Sequence, residues 1–61
     1  MMFNRFRWAS TMGEQYAMPM YFPTLDDAQT HRRKADKCLK GLPGYDSMRL
    51  EELIDGEWVA V

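Results

Sequence analysis

The feature that constrains this chain most is a helix fenced at both ends. Pro23 and Thr24 precede Leu25-Asp26-Asp27, and Gly41-Leu42-Pro43 follows Lys40. Thr24 carries the side-chain oxygen that caps the free amides of a first turn. Asp27 sits at the capping-box position, where Glu or Gln is the commoner residue. Asp26 and Asp27 lie at the positive end of the helix dipole, and Lys37 and Lys40 at the negative end. Gly41 suits the left-handed residue after a helix, and Pro43 forbids continuation. The pattern predicts one helix of roughly 16 residues. Leu25, Ala28, Ala35, Cys38, Leu39 and Leu42 recur on one side of it, and the two alanines allow close approach to a sheet.

In a chain of 61 residues this helix leaves two short flanks, and both are patterned as strands. In the first, Phe3 to Phe22, Phe6 and Trp8 alternate with Arg5 and Arg7. Tyr16, Met18, Met20 and Phe22 alternate with Ala17, Pro19 and Tyr21. Such alternation predicts strands with one buried face, joined by a turn at Thr11-Met12-Gly13-Glu14. Pro19 cannot donate a ladder hydrogen bond, so the second strand belongs at an edge or carries a bulge. In the other flank a Gly41–Gly44 turn leads to Met48–Ile54 and Glu57–Val61 around Asp55-Gly56. Asp-Gly between alternating apolar runs signals a type I′ hairpin. A helix over Met48–Ile54 is the competing reading, since Leu and Glu favour helices. The fold predicted is α+β, one domain over residues 1–61, with a single helix packed on a small antiparallel sheet in the order ββαββ.

So short a chain has a marginal core. Cys38 is the only cysteine and His31 the only histidine, which excludes an internal disulfide and a closed tetrahedral zinc site. The 46% hydrophobic and 28% charged composition is that of a folded protein rather than a disordered tail. The N-terminus has arginines inside its apolar stretch and does not read as a signal peptide. No apolar run approaches the ~20 residues that span a bilayer. The expectation is a protein of a reduced cytoplasm, with no membrane partner.

If Ile54 opposes Glu57 in the hairpin, Leu53 faces Trp58, Glu52 faces Val59 and Leu50 faces Val61. Met48, Leu50, Ile54, Val59 and Val61 then share the face richer in aliphatics, the better core candidate. Arg49, Glu51, Leu53, Trp58 and Ala60 share the other. An exposed Trp58 among charged neighbours has the composition of a binding hot spot. The alternative is that Trp58 is a core residue and the faces are reversed.

Charge is placed unevenly. The net of −1 divides into +1 over residues 1–23, +2 over 24–40 and −4 over 41–61. Arg49, Glu51, Glu52, Leu53, Asp55, Glu57 and Trp58 form the candidate partner-binding set, an acidic hairpin suited to a basic surface. Arg32, Arg33, Lys34 and Lys37 are the alternative, a basic helix face for phosphates, although Asp27 and Asp36 partly neutralise it. Phe6, Trp8 and Tyr16 have rings that could stack on bases, but the core needs them more.

Catalysis has little support. His31 and Cys38 lie about 10 Å apart along a helix axis by helix rise, whereas a nucleophile and its base need contact. His31 reads as a boundary residue and Cys38 as a small buried hydrophobe. No catalytic residue, cofactor, metal or small-molecule substrate is expected.

Phe6-Arg7-Trp8-Ala9, Pro19-Met20-Tyr21 and Thr24-Leu25-Asp26-Asp27-Ala28 together resemble the small host RNA polymerase inhibitors of T7-type bacteriophages. The likeness covers Phe6 to Ala28. It implies a non-enzymatic protein that binds the bacterial polymerase near its DNA channel and blocks initiation. The family's last strand carries spaced arginines, to which only Arg49 corresponds here, and the acidic hairpin is an addition. Phage anti-host proteins more widely, anti-CRISPR proteins included, share the short, disulfide-free, single-domain format. The expectation is an inhibitor or modulator of a larger host protein or nucleoprotein complex with a basic surface. A nucleic-acid-binding module is the alternative, as is a structural subunit that forms a homodimer through the Pro19 edge or the C-terminal strand.

Overall fold

The computed structural model describes residues 4–61. Its elements are β1 (Phe6–Ser10), β2 (Met20–Phe22), α1 (Leu25–Leu39), α2 (Pro43–Asp46), β3 (Met48–Ile54) and β4 (Glu57–Ala60). The strands form one antiparallel sheet ordered β2-β1-β3-β4, with α1 packed across β1 and β2. This is the predicted α+β architecture in the predicted order, with the short helix α2 added where a turn was expected.

The signals around α1 act as the sequence suggests. Thr24 Oγ1 accepts the Asp27 amide at 3.1 Å, and Gly41 takes φ 100° just beyond the end of the helix. Pro43 opens α2 at its first position, where its missing N–H costs nothing. The β3–β4 turn has Asp55 at φ 51° and Gly56 at φ 81°, the two positive values of a type I′ turn. The hairpin register is the predicted one, with Ile54 opposite Glu57 and Leu53 opposite Trp58.

Three expectations are corrected. The second strand begins only at Met20, so Tyr16, Met18 and Pro19 belong to the loop 11–19. Thr11 extends the β1–β3 ladder by one rung, donating its amide and hydroxyl to the Ser47 carbonyl, and the loop leaves the sheet beyond it. β2 does lie at an edge, although Pro19 precedes the strand and does not itself impose that position. The apolar side of α1 buries Ala28 alone, while Leu25, Leu39 and Leu42 stay exposed. Cys38 is exposed rather than buried. Phe3, at the start of the first flank, lies outside the described residues.

Cross-strand partners point to the same side of a sheet. Met20, Phe22, Phe6, Trp8, Met48, Leu50 and Val59 therefore face α1, and Tyr21, Arg7, Glu51, Leu53, Trp58 and Ala60 face away from it. Because α1 sits over β1 and β2, the core concentrates there and under α2, where Tyr45 and Met48 are buried. Among the described residues, nothing covers the helix side of β3 and β4 near their shared turn. Ile54 and Val59 are each 42% exposed and Val61 64%, so the aliphatic set read as core supplies only Met48 and part of Leu50.

Candidate functional site: the open face of the sheet

The face turned away from α1 is organised although no element of the described residues covers it. One cross-strand row runs Tyr21, Arg7, Glu51, Ala60 over the four strands, with Trp58 beside it on β4. Two strands separate β2 from β4, which at ~4.8 Å per step leaves their backbones about 14 Å apart. The rings of Tyr21 and Trp58 nevertheless approach to 5.7 Å between centroids. Both side chains therefore lean inward and lie across the middle strands. The Arg7 guanidinium stacks on the indole at 4.6 Å from its centroid, a cation–π contact.

Glu51 lies within this cluster. Its carboxylate accepts from Arg7 Nε at 2.6 Å and from Arg49 Nε at 2.7 Å, and the residue is only 4% exposed. Burial disfavours its charged form, but the hydrogen bonds from Arg7 and Arg49 outweigh that and hold the carboxyl below its ordinary pKa. Arg7 is affected in the same sense: burial opposes its charge, and the bond to Glu51 more than restores it. Glu51 thus fixes both arginines at the surface of the sheet and is itself not free to meet a partner.

The hairpin residues divide accordingly. Glu52 pairs with Arg5 at 2.9 Å, and Leu53 and Trp58 are half-buried on the open face. Arg49 is exposed but tied to Glu51. Asp55 and Glu57 at the tip are exposed and form no ion pair among the described residues. The acidic hairpin is therefore acidic only at its tip, because two of its four carboxylates neutralise arginines of the same sheet. Trp58 is not a solitary exposed ring but the roof of an arginine–glutamate pair.

Arg32 of the basic helix set is half-buried and engaged within the fold. Its guanidinium carbon sits 3.8 Å from the centroid of Tyr45 and 4.7 Å from that of Trp8. It donates to the Tyr45 carbonyl at 3.3 Å and pairs with Asp36 at 3.5 Å. The Tyr45 hydroxyl donates to Asp36 at 2.6 Å. Burial and then that bond raise the Tyr45 phenol above its ordinary pKa, against the pull of Arg32. Arg33, Lys34 and Lys37 are exposed, on the side of α1 opposite Ala28 at 100° per residue, with Lys40 beside them.

His31 packs its ring against Phe22 at 5.1 Å, the boundary role expected of it. Among the described residues no cavity is found, no cluster of three or more His, Cys, Asp or Glu could hold a metal, and no helix is long and apolar enough to cross a membrane.

Arg7 and Tyr21 escape the candidate set drawn from the sequence. Alternation within each strand sets them opposite Trp8 and Met20, but only the β1–β3 pairing brings them to Glu51 and Trp58, and no local signal encodes that pairing. Comparison with protein-family models, curated proteins and solved structures returned no match.

Proposed function

We propose that this chain is a non-enzymatic binding module that docks onto a larger protein through the open face of its sheet and inhibits or modulates it. One observation carries the reading: Tyr21, Trp58 and Arg7 are held together on a face that no element of the described residues covers. Trp, Tyr and Arg are the residue types that dominate binding hot spots. Their mutual stacking and the Glu51 clamp fix their rotamers before binding, which lowers the entropy cost of association. Leu53 and Arg49 extend the platform, and Asp55 and Glu57 give its rim an acidic tip suited to a basic patch on the partner.

The resemblance over Phe6 to Ala28 supplies the narrower reading, a phage-type inhibitor working in the bacterial cytoplasm on RNA polymerase. Transcription by purified bacterial RNA polymerase in the presence of the chain tests it. Undiminished initiation at saturating protein removes the polymerase as target and leaves the docking face to be tested by itself.

For the docking face, Tyr21→Ser and the pair Asp55→Lys with Glu57→Lys alter exposed groups outside the Glu51 clamp. Partners captured by the native chain and lost by both variants, with unchanged circular dichroism, support the reading. Capture indifferent to both variants overturns it. A second reading rests on the outer face of α1, where Arg33, Lys34, Lys37 and Lys40 suit phosphates. It requires a gel shift that weakens steeply with salt.

A further inference from the structure

We propose that the chain forms a two-fold dimer by pairing β4 with β4 of a second copy, extending the sheet across both molecules. The proposal does not rest on the docking reading: it uses the main chain of β4 and the exposed aliphatic residues of the helix side, with Trp58 bordering both surfaces. It begins with hydrogen-bond parity. In a two-residue hairpin the residues flanking the turn, Ile54 and Glu57, form a hydrogen-bonded pair, and such pairs alternate along an antiparallel ladder. Val61 N–H donating to the Leu50 carbonyl at 3.1 Å fits this phase. Leu53–Trp58 and Glu51–Ala60 are then the non-bonded pairs, so the N–H and C=O groups of Trp58 and Ala60 point outward from the sheet.

The two edges of the sheet are treated differently. β2 has three residues and follows Pro19, which has no N–H to offer. β4 carries no proline, no lysine and no bulge, and its register with β3 is unbroken. Unprotected edges of this kind pair with further strands. Beside this edge lie the exposed Ile54, Val59 and Val61 that α1 leaves uncovered.

Side-chain order along β4 favours a second copy as the occupant. Only outward-pointing residues can bond, and a two-fold axis at Val59 pairs Trp58 with Ala60 of the second copy and Ala60 with its Trp58. On the open face the small Ala60 side chain of the second copy then lies beside Trp58, whose indole leans back over its own sheet. On the helix side Val59 meets its own equivalent, and Glu57, the one charge on the strand, meets Val61 rather than another Glu57. Shifting the axis to Trp58 sets Ala60 against Gly56 of the turn, and shifting it to Ala60 leaves Trp58 without a bonding partner in the strand. The central register alone gives both outward residues a bonding partner within the strand.

Multi-angle light scattering of the whole chain tests the association over about 10 µM to 1 mM, the range suited to a small interface. The mass should rise from 7.2 kDa towards twice that value. Ala60→Pro removes an outward N–H without touching the β3–β4 ladder and should hold the mass at one chain. The register is tested separately by Val59→Cys in a Cys38→Ser background. Non-bonded antiparallel partners bring their Cβ atoms close enough for a disulfide, so mild oxidation should yield a covalent dimer, and much less of one for Val61→Cys. A single-chain mass at every concentration, as for an edge reserved for another protein's strand, overturns the proposal. So does a dimer insensitive to Ala60→Pro, or cross-linking that favours position 61 over position 59.

Discussion

Trp8 of β1 donates its indole Nε1–H to the main-chain carbonyl of Ala28 on α1 across 2.8 Å. Ala28 is completely buried, and its small side chain lets the helix approach until the indole reaches the backbone. The bond sets both the height of α1 above the sheet and its rotation. Trp8→Phe keeps a ring in the core but removes the donor, and should cost about 1–2 kcal/mol by denaturant titration. Ala28→Leu, which lifts the helix, should cost more.

Acid should destabilise the protein through Glu51. Its folded pKa is depressed, so its stabilisation is present above the unfolded value near ~4.3 and is lost as pH falls through the lower folded value. Melting temperature should therefore drop as the solution is taken below that point. Glu51→Gln should lower stability at neutral pH by about 1–3 kcal/mol, less than a fully buried pair because Arg49 is half exposed. It should also flatten the acid limb of the profile, and an unchanged acid limb would contradict the clamp.

Arg32 should behave as a structural cation. Stacked between Trp8 and Tyr45 and paired with Asp36, it should cost about 1–2 kcal/mol when replaced by Ala. Arg32→Lys keeps the charge but loses the planar stack and should recover only part of the loss. If the outer face of α1 binds nucleic acid, Arg33→Ala and Lys37→Ala should weaken a gel shift that Arg32→Lys leaves alone.

Gly44→Ala pits propensity against packing. Alanine in a helix is favoured over glycine by about 1 kcal/mol. At position 44 its Cβ would lie 2.6 Å from the Tyr16 carbonyl oxygen, a main-chain atom that cannot step aside alone. Overpacking of this kind costs about 1–3 kcal/mol, so thermal melting should show net destabilisation.

Local chemistry made the fold readable: Thr24 and Gly41 bound the helix, and Asp55-Gly56 sets the hairpin. What sequence reasoning missed is non-local. The face-sharing of Arg49, Glu51, Leu53 and Trp58 follows from register and was legible. That Glu51 would be taken up by Arg7, and Trp58 roofed with Tyr21, depends on β1 lying beside β3. Aliphatic content likewise pointed to the correct side of β3 and β4, but it carries no information that α1 would sit over β1 and β2 and leave Ile54 and Val59 in water. Arg32 was read as a surface cation because its aromatic partners come from β1 and α2, on either side of it in sequence.

The strand order also governs how the molecule is assembled. β1 is central, and its Arg7 meets Glu51 across 44 residues of sequence. During synthesis β1 can pair early with β2, but its other edge stays open until Met48–Ile54 has been made. Closing that gap is the long-range step expected to set the folding rate. Until then Phe6 and Trp8 lie on a half-built sheet with an unpaired strand edge, an aggregation hazard. The nascent chain is therefore most vulnerable until β3 has been made, and a truncation before β3 should yield an insoluble fragment rather than a smaller folded one.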